Sequence, residues 1–148
     1  MTTHKFFVQL HSGFRYIVLV LVLLAIVQSF IGWLANRPYT EGKRKINLFA
    51  LISAHTQLLI GIVLYFLSPY VQFNSETMKN DTTRYFTVEH WVMMIIAIVL
   101  ITIGHSKSKK AVLPEGKHKM IAIFYTIALL VIIGALVAGH LPVFGSRA

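Results

Sequence analysis

The chain has 148 residues, enough for one domain. Hydrophobic residues make up 56% of it and charged residues only 13%, whereas about a quarter of a soluble domain is charged. Because the apolar residues are concentrated in blocks, the composition indicates membrane spans. Cysteine is absent, which excludes disulfides, thiolate metal sites, covalent haem attachment and cysteine catalysis. The net charge of +9 comes mainly from two short loops, so we interpret it as an orientation signal and not as a nucleic-acid-binding surface.

Four apolar blocks predict an all-α fold, an integral membrane four-helix bundle with up-down-up-down topology and a single domain. In chain order the predicted spans cover about residues 10–34, 46–68, 85–105 and 119–140. Each block reaches about 20 residues, the length that a helix needs to cross the hydrocarbon core of a bilayer. The three connections are short, so consecutive helices are expected to be antiparallel neighbours.

The basic residues predict which way the bundle faces. Loop 1 (residues 35–45) and loop 3 (residues 106–119) together hold nine lysines and arginines, whereas loop 2 (residues 69–84) and the two termini hold four. The positive-inside rule therefore places loops 1 and 3 in the cytoplasm. On this interpretation the protein lies in a bacterial inner membrane with both termini in the periplasm.

Three histidines are predicted to share the periplasmic level of the bundle: His11, His90 and His140. His11 and His90 begin spans 1 and 3, which lie diagonally across a sequentially ordered bundle. Imidazole is a common metal ligand and a usual axial ligand of haem b. We therefore predict that His11 and His90 hold a haem iron, with His140 as the third candidate.

Two more residues complete the predicted cofactor site. Arg15 lies one helical turn after His11 on the same face, where it would pair with a haem propionate or extend to lipid headgroups. His55 is the deepest ionisable side chain, and such groups usually face the bundle interior. Three roles stay open for it: ligating a deeper haem, lying beside a quinone, or donating to a backbone carbonyl.

The remaining polar residues have simpler interpretations. His4 and His118 are expected to be solvated, in a terminus and in loop 3, and His105 to be an interfacial residue. Ser53, Gln57, Gly61 and Tyr65 form an i, i+4 row on span 2. This row is predicted to be a helix–helix seam, with Gln57 hydrogen-bonded across it.

The sequence also resembles known membrane cytochromes. HSGFR opens span 1, SAHTQLLIG lies in span 2 and VEHWVMM opens span 3. In this layout the chain resembles small bacterial cytochrome b-like membrane proteins, and is similar to one four-helix half of a haem A synthase and to cytochrome b561. The resemblance implies b-type haem held by histidines of facing helices, here His11, His55 and His90.

These observations predict a membrane haem b protein that transfers electrons between quinol and a respiratory or periplasmic partner. A second hypothesis is an accessory subunit without a cofactor that packs against a larger membrane complex. A third is a membrane enzyme with zinc held by His11, His90 and His140. Transport is disfavoured because no Asp or Glu lies deep in a span.

Overall fold

The structure, a computed structural model, describes residues 3–67 and 90–138. In this part of the chain there are four α-helices, which we number in chain order. They are α1 (Thr3–Leu34), α2 (Glu41–Leu67), α3 (His90–Lys110) and α4 (Pro114–Ala138). All four are long and apolar enough to cross a membrane, which confirms an all-α fold with four spans.

The helices pack as a ring of adjacent neighbours. α1 packs against α2 and α4, and α3 packs extensively against α4 and to a smaller extent against α2. The predicted bundle topology is therefore confirmed, and α1 and α3 are diagonal. We call the end where α1 and α3 finish the basic end, because loops 1 and 3 carry their lysines and arginines there. The opposite end is called the His11 end.

The connection between α1 and α2 is stabilised by hydrogen bonds of its own. Asn36 adopts a φ of 52°, the left-handed conformation that ends many helices and that asparagine tolerates. Its neighbour Arg37 donates its backbone N–H to the carbonyl of Gly32 at 2.9 Å, as in a Schellman motif. At the start of α2 the Thr40 hydroxyl accepts the backbone N–H of Lys43 at 3.3 Å. Thr40 therefore caps α2.

Loop 3 is much shorter than the sequence suggests. α3 continues to Lys110 and α4 begins at Pro114, so most of residues 106–119 is helical. Proline suits the first position of a helix because its fixed φ is helical and its missing N–H would have no helical partner there. The prediction that residues 106–119 form a loop was therefore wrong for most of this range, because Pro114 starts a helix.

The best-buried core lies in the basic half of the bundle. Its central members are Val22 and Ala25 of α1, Ala50 of α2 and Ile101 of α3, together with Tyr125 of α4. α3 and α4 approach each other closely at Gly104, where an added Cβ would overlap the Cβ of Phe124. Small residues allow such close packing in membrane helices.

Candidate functional site

At the His11 end, α1 and α2 meet through the predicted seam. The Gln57 side chain donates from Nε2 to the backbone carbonyl of His11 at 2.9 Å. One turn later, a Cβ built on Gly61 would lie 3.5 Å from Cε1 of the His11 ring, an ordinary van der Waals distance. The imidazole of His11 therefore packs against α2 at Gly61, where α2 has no side chain. The predicted role of Gln57 across a helix–helix seam is confirmed.

Arg15 has unmet hydrogen-bonding capacity at this end. Its Nε and Nη2 atoms are buried, and no acceptor for them is found among residues 3–67 and 90–138. Its Cζ atom lies 5.3 Å from the ring centroid of Tyr16, a cation–π contact. The Oε1 atom of Gln57 is also buried without a donor in the same ranges. A guanidinium in this state is suited to a carboxylate or phosphate, which it binds through two parallel N–H donors.

The position of this cluster along α1 corresponds to a membrane boundary. Trp33 lies near the end of α1, at a depth typical of interfacial tryptophan. A hydrocarbon core about 30 Å thick takes up about 20 residues at about 1.5 Å rise per residue. Counting back that far from Trp33 reaches Phe14. His11 and Arg15 therefore lie at the opposite edge of the hydrocarbon core.

The other predicted members of this site are described less completely. His90 is the first residue of α3, so its backbone lies on the helix diagonal to α1. Its side chain is outside the described part of the structure, and so is the whole of His140. The pairing of His11 with His90, and the place of His140, therefore stay predictions.

His55 does not join His11, and the prediction that it faces the bundle interior was wrong. Its side chain is exposed on the protein surface beside α3. There its Nε2 lies 3.0 Å from Oγ1 of Thr102. His55 is ten residues past Lys45, about 15 Å along the helix, so this pair lies well inside the membrane. The structure shows a hydrogen bond for His55, but its partner is a side-chain hydroxyl and not the expected backbone carbonyl. The haem and quinone roles stay predictions.

A buried polar network that the sequence analysis missed connects the helices at the basic end. Gln28 of α1 donates from Nε2 to Oδ1 of Asn47 at 3.0 Å and to the backbone carbonyl of Lys43 at 3.0 Å. Asn47 donates to the hydroxyl of Tyr39 at 2.9 Å. Tyr125 of α4 donates its hydroxyl to the backbone carbonyl of Asn47 at 2.9 Å. Three helices and loop 1 are thereby joined by satisfied hydrogen bonds in a low-dielectric setting.

His118 belongs to the same end, and the prediction that it is solvated was wrong. Its side chain is only 1% exposed. Its Nε2 donates to the carbonyl of Arg37 at 3.0 Å, and its ring meets that of Tyr39 edge-on with centroids 5.2 Å apart. An added Cβ at Gly32 would overlap the imidazole. The signal that could have placed His118 in a helix was Pro114, four residues before it, acting as a helix start.

The remaining polar groups of the basic end are structural. Ser108 donates its hydroxyl to the carbonyl of Lys117 at 2.9 Å, and Lys117 Nζ donates to the carbonyl of Ser108 at 3.2 Å. This reciprocal pair closes the short turn between α3 and α4. His105, expected to be interfacial, is buried at 6% exposure. Its Nδ1 and the hydroxyl of Ser29 have no hydrogen-bond partner in the described ranges.

No group of three or more His, Asp or Glu side chains within residues 3–67 and 90–138 is arranged to hold a metal ion. The zinc hypothesis depends on His90 and His140, so it stays a prediction. Comparisons of the chain with models of protein families, with curated proteins and with solved structures found no match. What is established is a protein with four membrane-length helices packed as a bundle.

Proposed function

We propose that this protein binds haem b at the His11 end of the bundle and transfers electrons between quinol and a respiratory or periplasmic partner. The observation that carries the proposal is Arg15, whose Nε and Nη2 are buried without an acceptor in the described part of the chain. Buried donors of a cation are costly when they have no acceptor, so an anionic partner is expected beside Nε and Nη2. A haem propionate supplies a carboxylate, and His11 on the same face supplies an iron ligand.

The arrangement of the helices fits a cofactor held between them. α1 and α3 are diagonal, so His11 and His90 start from opposite corners of the bundle, and both would be available to a haem held between these helices. Gly61 of α2 has no side chain, and a Cβ built on it would lie 3.5 Å from Cε1 of the His11 ring. The core cluster with the deepest burial lies toward the basic end. These features support a site at the His11 end.

In this proposal the chain's residues have separate tasks. His11 and His90 hold the iron, and Arg15 holds a propionate. Gln57 fixes the backbone of α1 at His11 through its bond to the His11 carbonyl. The apolar helices exclude water and set a low dielectric, which tunes the reduction potential. The haem, when bound, supplies one-electron chemistry.

Haem binding is tested with the purified protein and four single variants. Reduced-minus-oxidised visible spectra and the haem-to-protein ratio are measured at matched expression. We expect a low-spin haem b in the natural sequence and its loss in His11→Ala and in His90→Ala. His105→Ala, at the basic end, is the control and should keep the haem. Arg15→Leu should retain less haem than the natural sequence but more than the two ligand variants, because a propionate partner does not bind iron.

Two outcomes would reject the proposal or part of it. If both alanine variants keep a full complement of low-spin haem, the pair His11–His90 is wrong and His140 becomes the next ligand to test. If the natural protein purifies without colour after expression with haem supplied, the haem proposal fails. The accessory-subunit hypothesis then takes its place.

Orientation is part of the proposal, because a periplasmic partner requires the His11 end to face the periplasm. The nine lysines and arginines of loops 1 and 3 support a cytoplasmic basic end. Reporter fusions at Ala148 should therefore have periplasmic activity, and fusions in loop 3, after Val112, should have cytoplasmic activity. A cytoplasmic carboxyl terminus would contradict a periplasmic haem.

A further inference from the structure

The outer surface shared by α2 and α3 contains a polar pair in an apolar setting. On α2, exposed side chains recur with helical spacing, and His55 is the polar member between Ile52 and Leu59. On α3, Thr102 follows the exposed Val99 in the same way. Ile52 is 49% exposed, Leu59 64% and Val99 48%, so aliphatic surface surrounds the pair. α2 and α3 make the least extensive contact of the four adjacent helix pairs, and the surface along this contact is called the α2–α3 groove.

The hydrogen bonds of Thr102 determine which nitrogen of His55 carries the proton. The Thr102 hydroxyl lies 2.7 Å from the carbonyl of Ile98 and donates its single hydrogen to it. Toward His55, 3.0 Å away, the same oxygen is therefore an acceptor. Nε2 of His55 must then be the donor, which leaves the lone pair of the neutral ring on Nδ1.

The lone pair on Nδ1 requires a donor from outside the described helices. Thr102 is the single hydrogen-bond partner of the His55 ring within residues 3–67 and 90–138. Water is excluded from the hydrocarbon core, where unsatisfied polar groups are costly. A donor that reaches this depth therefore belongs to a lipid-soluble molecule or to another membrane protein.

We infer that the α2–α3 groove is a binding site for quinol, with a quinol hydroxyl donating to Nδ1 of His55. The ring of such a ligand carries O–H donors, and its apolar tail suits the aliphatic side chains around the pair. The oxidised quinone has carbonyl acceptors in place of hydroxyls, and Nδ1 offers it no hydrogen. The site should therefore prefer the reduced form. This inference rests on the quinol of the proposed function and names where it binds.

Thr102 is a positioning residue in this inference, because it acts through the tautomer of His55. Thr102→Val keeps the shape of the side chain and removes the hydroxyl. The Nε2–H then has no acceptor, the tautomer is no longer fixed, and the preference for quinol should fall. Thr102→Ser keeps the hydroxyl and should restore the preference.

The test uses the full chain in lipid nanodiscs with decylubiquinol and, separately, decylubiquinone, under anaerobic conditions. Histidine is labelled with ¹⁵N, and the His55 signals are assigned by their loss in His55→Leu. In the natural sequence we expect His55 to have its proton on Nε2. Decylubiquinol should shift the Nδ1 signal saturably, and its affinity should exceed that of decylubiquinone by about three- to tenfold, the effect of one neutral hydrogen bond. The haem content of the same samples is recorded.

Several results would overturn the inference. It fails if the His55 proton is on Nδ1, or if quinol and quinone bind equally in the natural sequence. It also fails if the Nδ1 signal responds to protein concentration and not to quinol, since a second copy of the chain would then cover the pair. Failure with a full haem content leaves the haem proposal standing. If a protein that lacks haem binds quinol saturably, the quinol site in the α2–α3 groove is supported and the haem proposal is rejected.

Discussion

The two ends of the bundle differ in which buried polar atoms lack a partner within the described ranges. At the basic end these atoms are Ser29 Oγ and His105 Nδ1, whereas at the His11 end they include two donors of the cation Arg15. At the basic end, Gln28, Asn47 and Tyr125 satisfy one another and neighbouring backbone groups across three helices. At the His11 end, the Nε and Nη2 atoms of Arg15 have no acceptor within the described ranges. A satisfied network makes a structure rigid, whereas unmet donors at a membrane boundary indicate a ligand. The network at the basic end holds three helices together, and the unmet donors of Arg15 support the proposal of a ligand site at the His11 end.

The largest effect on stability is expected from adding a side chain to the well-packed basic half of the bundle. Gly104→Leu would place a side chain where the Cβ of Phe124 already lies, and that atom is attached directly to the backbone of α4. We expect the free energy of unfolding to fall by about 3 kcal/mol, measured by titration with a denaturing detergent. Gly134→Ala is the control, because no atom lies within 4 Å of its added Cβ. Similar losses in both variants would show that Gly104 is not a close-packing position.

The next largest loss of stability is expected from breaking the polar network at the basic end. Asn47→Leu removes the acceptor of Gln28 and the donor to Tyr39, so buried polar groups lose their partners. The expected loss is about 2 kcal/mol in the same titration. Gln57→Leu is the matched variant at the His11 end, where one hydrogen bond is lost and one unpartnered oxygen is removed. If Gln57→Leu lowered the free energy of unfolding as much as Asn47→Leu does, the two ends would not differ as we propose.

A smaller effect is expected from Tyr125→Phe. The phenylalanine keeps the buried ring and removes only the hydroxyl that donates to the carbonyl of Asn47. We expect a loss of about 1 kcal/mol, the net value of a typical hydrogen bond. Combining Tyr125→Phe with Asn47→Leu should give less than the sum of the two, because both act on one network. Strict additivity would mean that the two bonds are independent.

The smallest effect on stability is expected from Arg15→Leu in protein prepared without haem. No hydrogen bond of the described structure is lost, and an unsatisfied buried cation is removed. The free energy of unfolding should therefore be unchanged or slightly higher, in contrast to its effect on haem retention. A clear loss of stability without haem would show that Arg15 is a structural group, and the contrast between the ends would weaken.

The amino-acid sequence determined the architecture of this protein and part of its packing. The length of the apolar blocks gave four spans, because the thickness of the bilayer sets the length of a crossing helix. The short connections predicted that consecutive helices are antiparallel neighbours, which the helix contacts confirm. The i, i+4 row from Ser53 to Tyr65 predicted the helix–helix contact that the structure shows at Gln57, because small and polar residues mark contacts between membrane helices.

Only the tertiary structure decided which way the single polar side chains point. A membrane helix is apolar on the side that faces lipid and on the side that faces the core, so its periodicity indicates little about which face is inside. His55 therefore was expected inside and lies on the surface, and His118 was expected in solvent and lies buried against Gly32. Their positions follow from which neighbouring helix covers each face, and that is set by contacts between residues far apart in the chain.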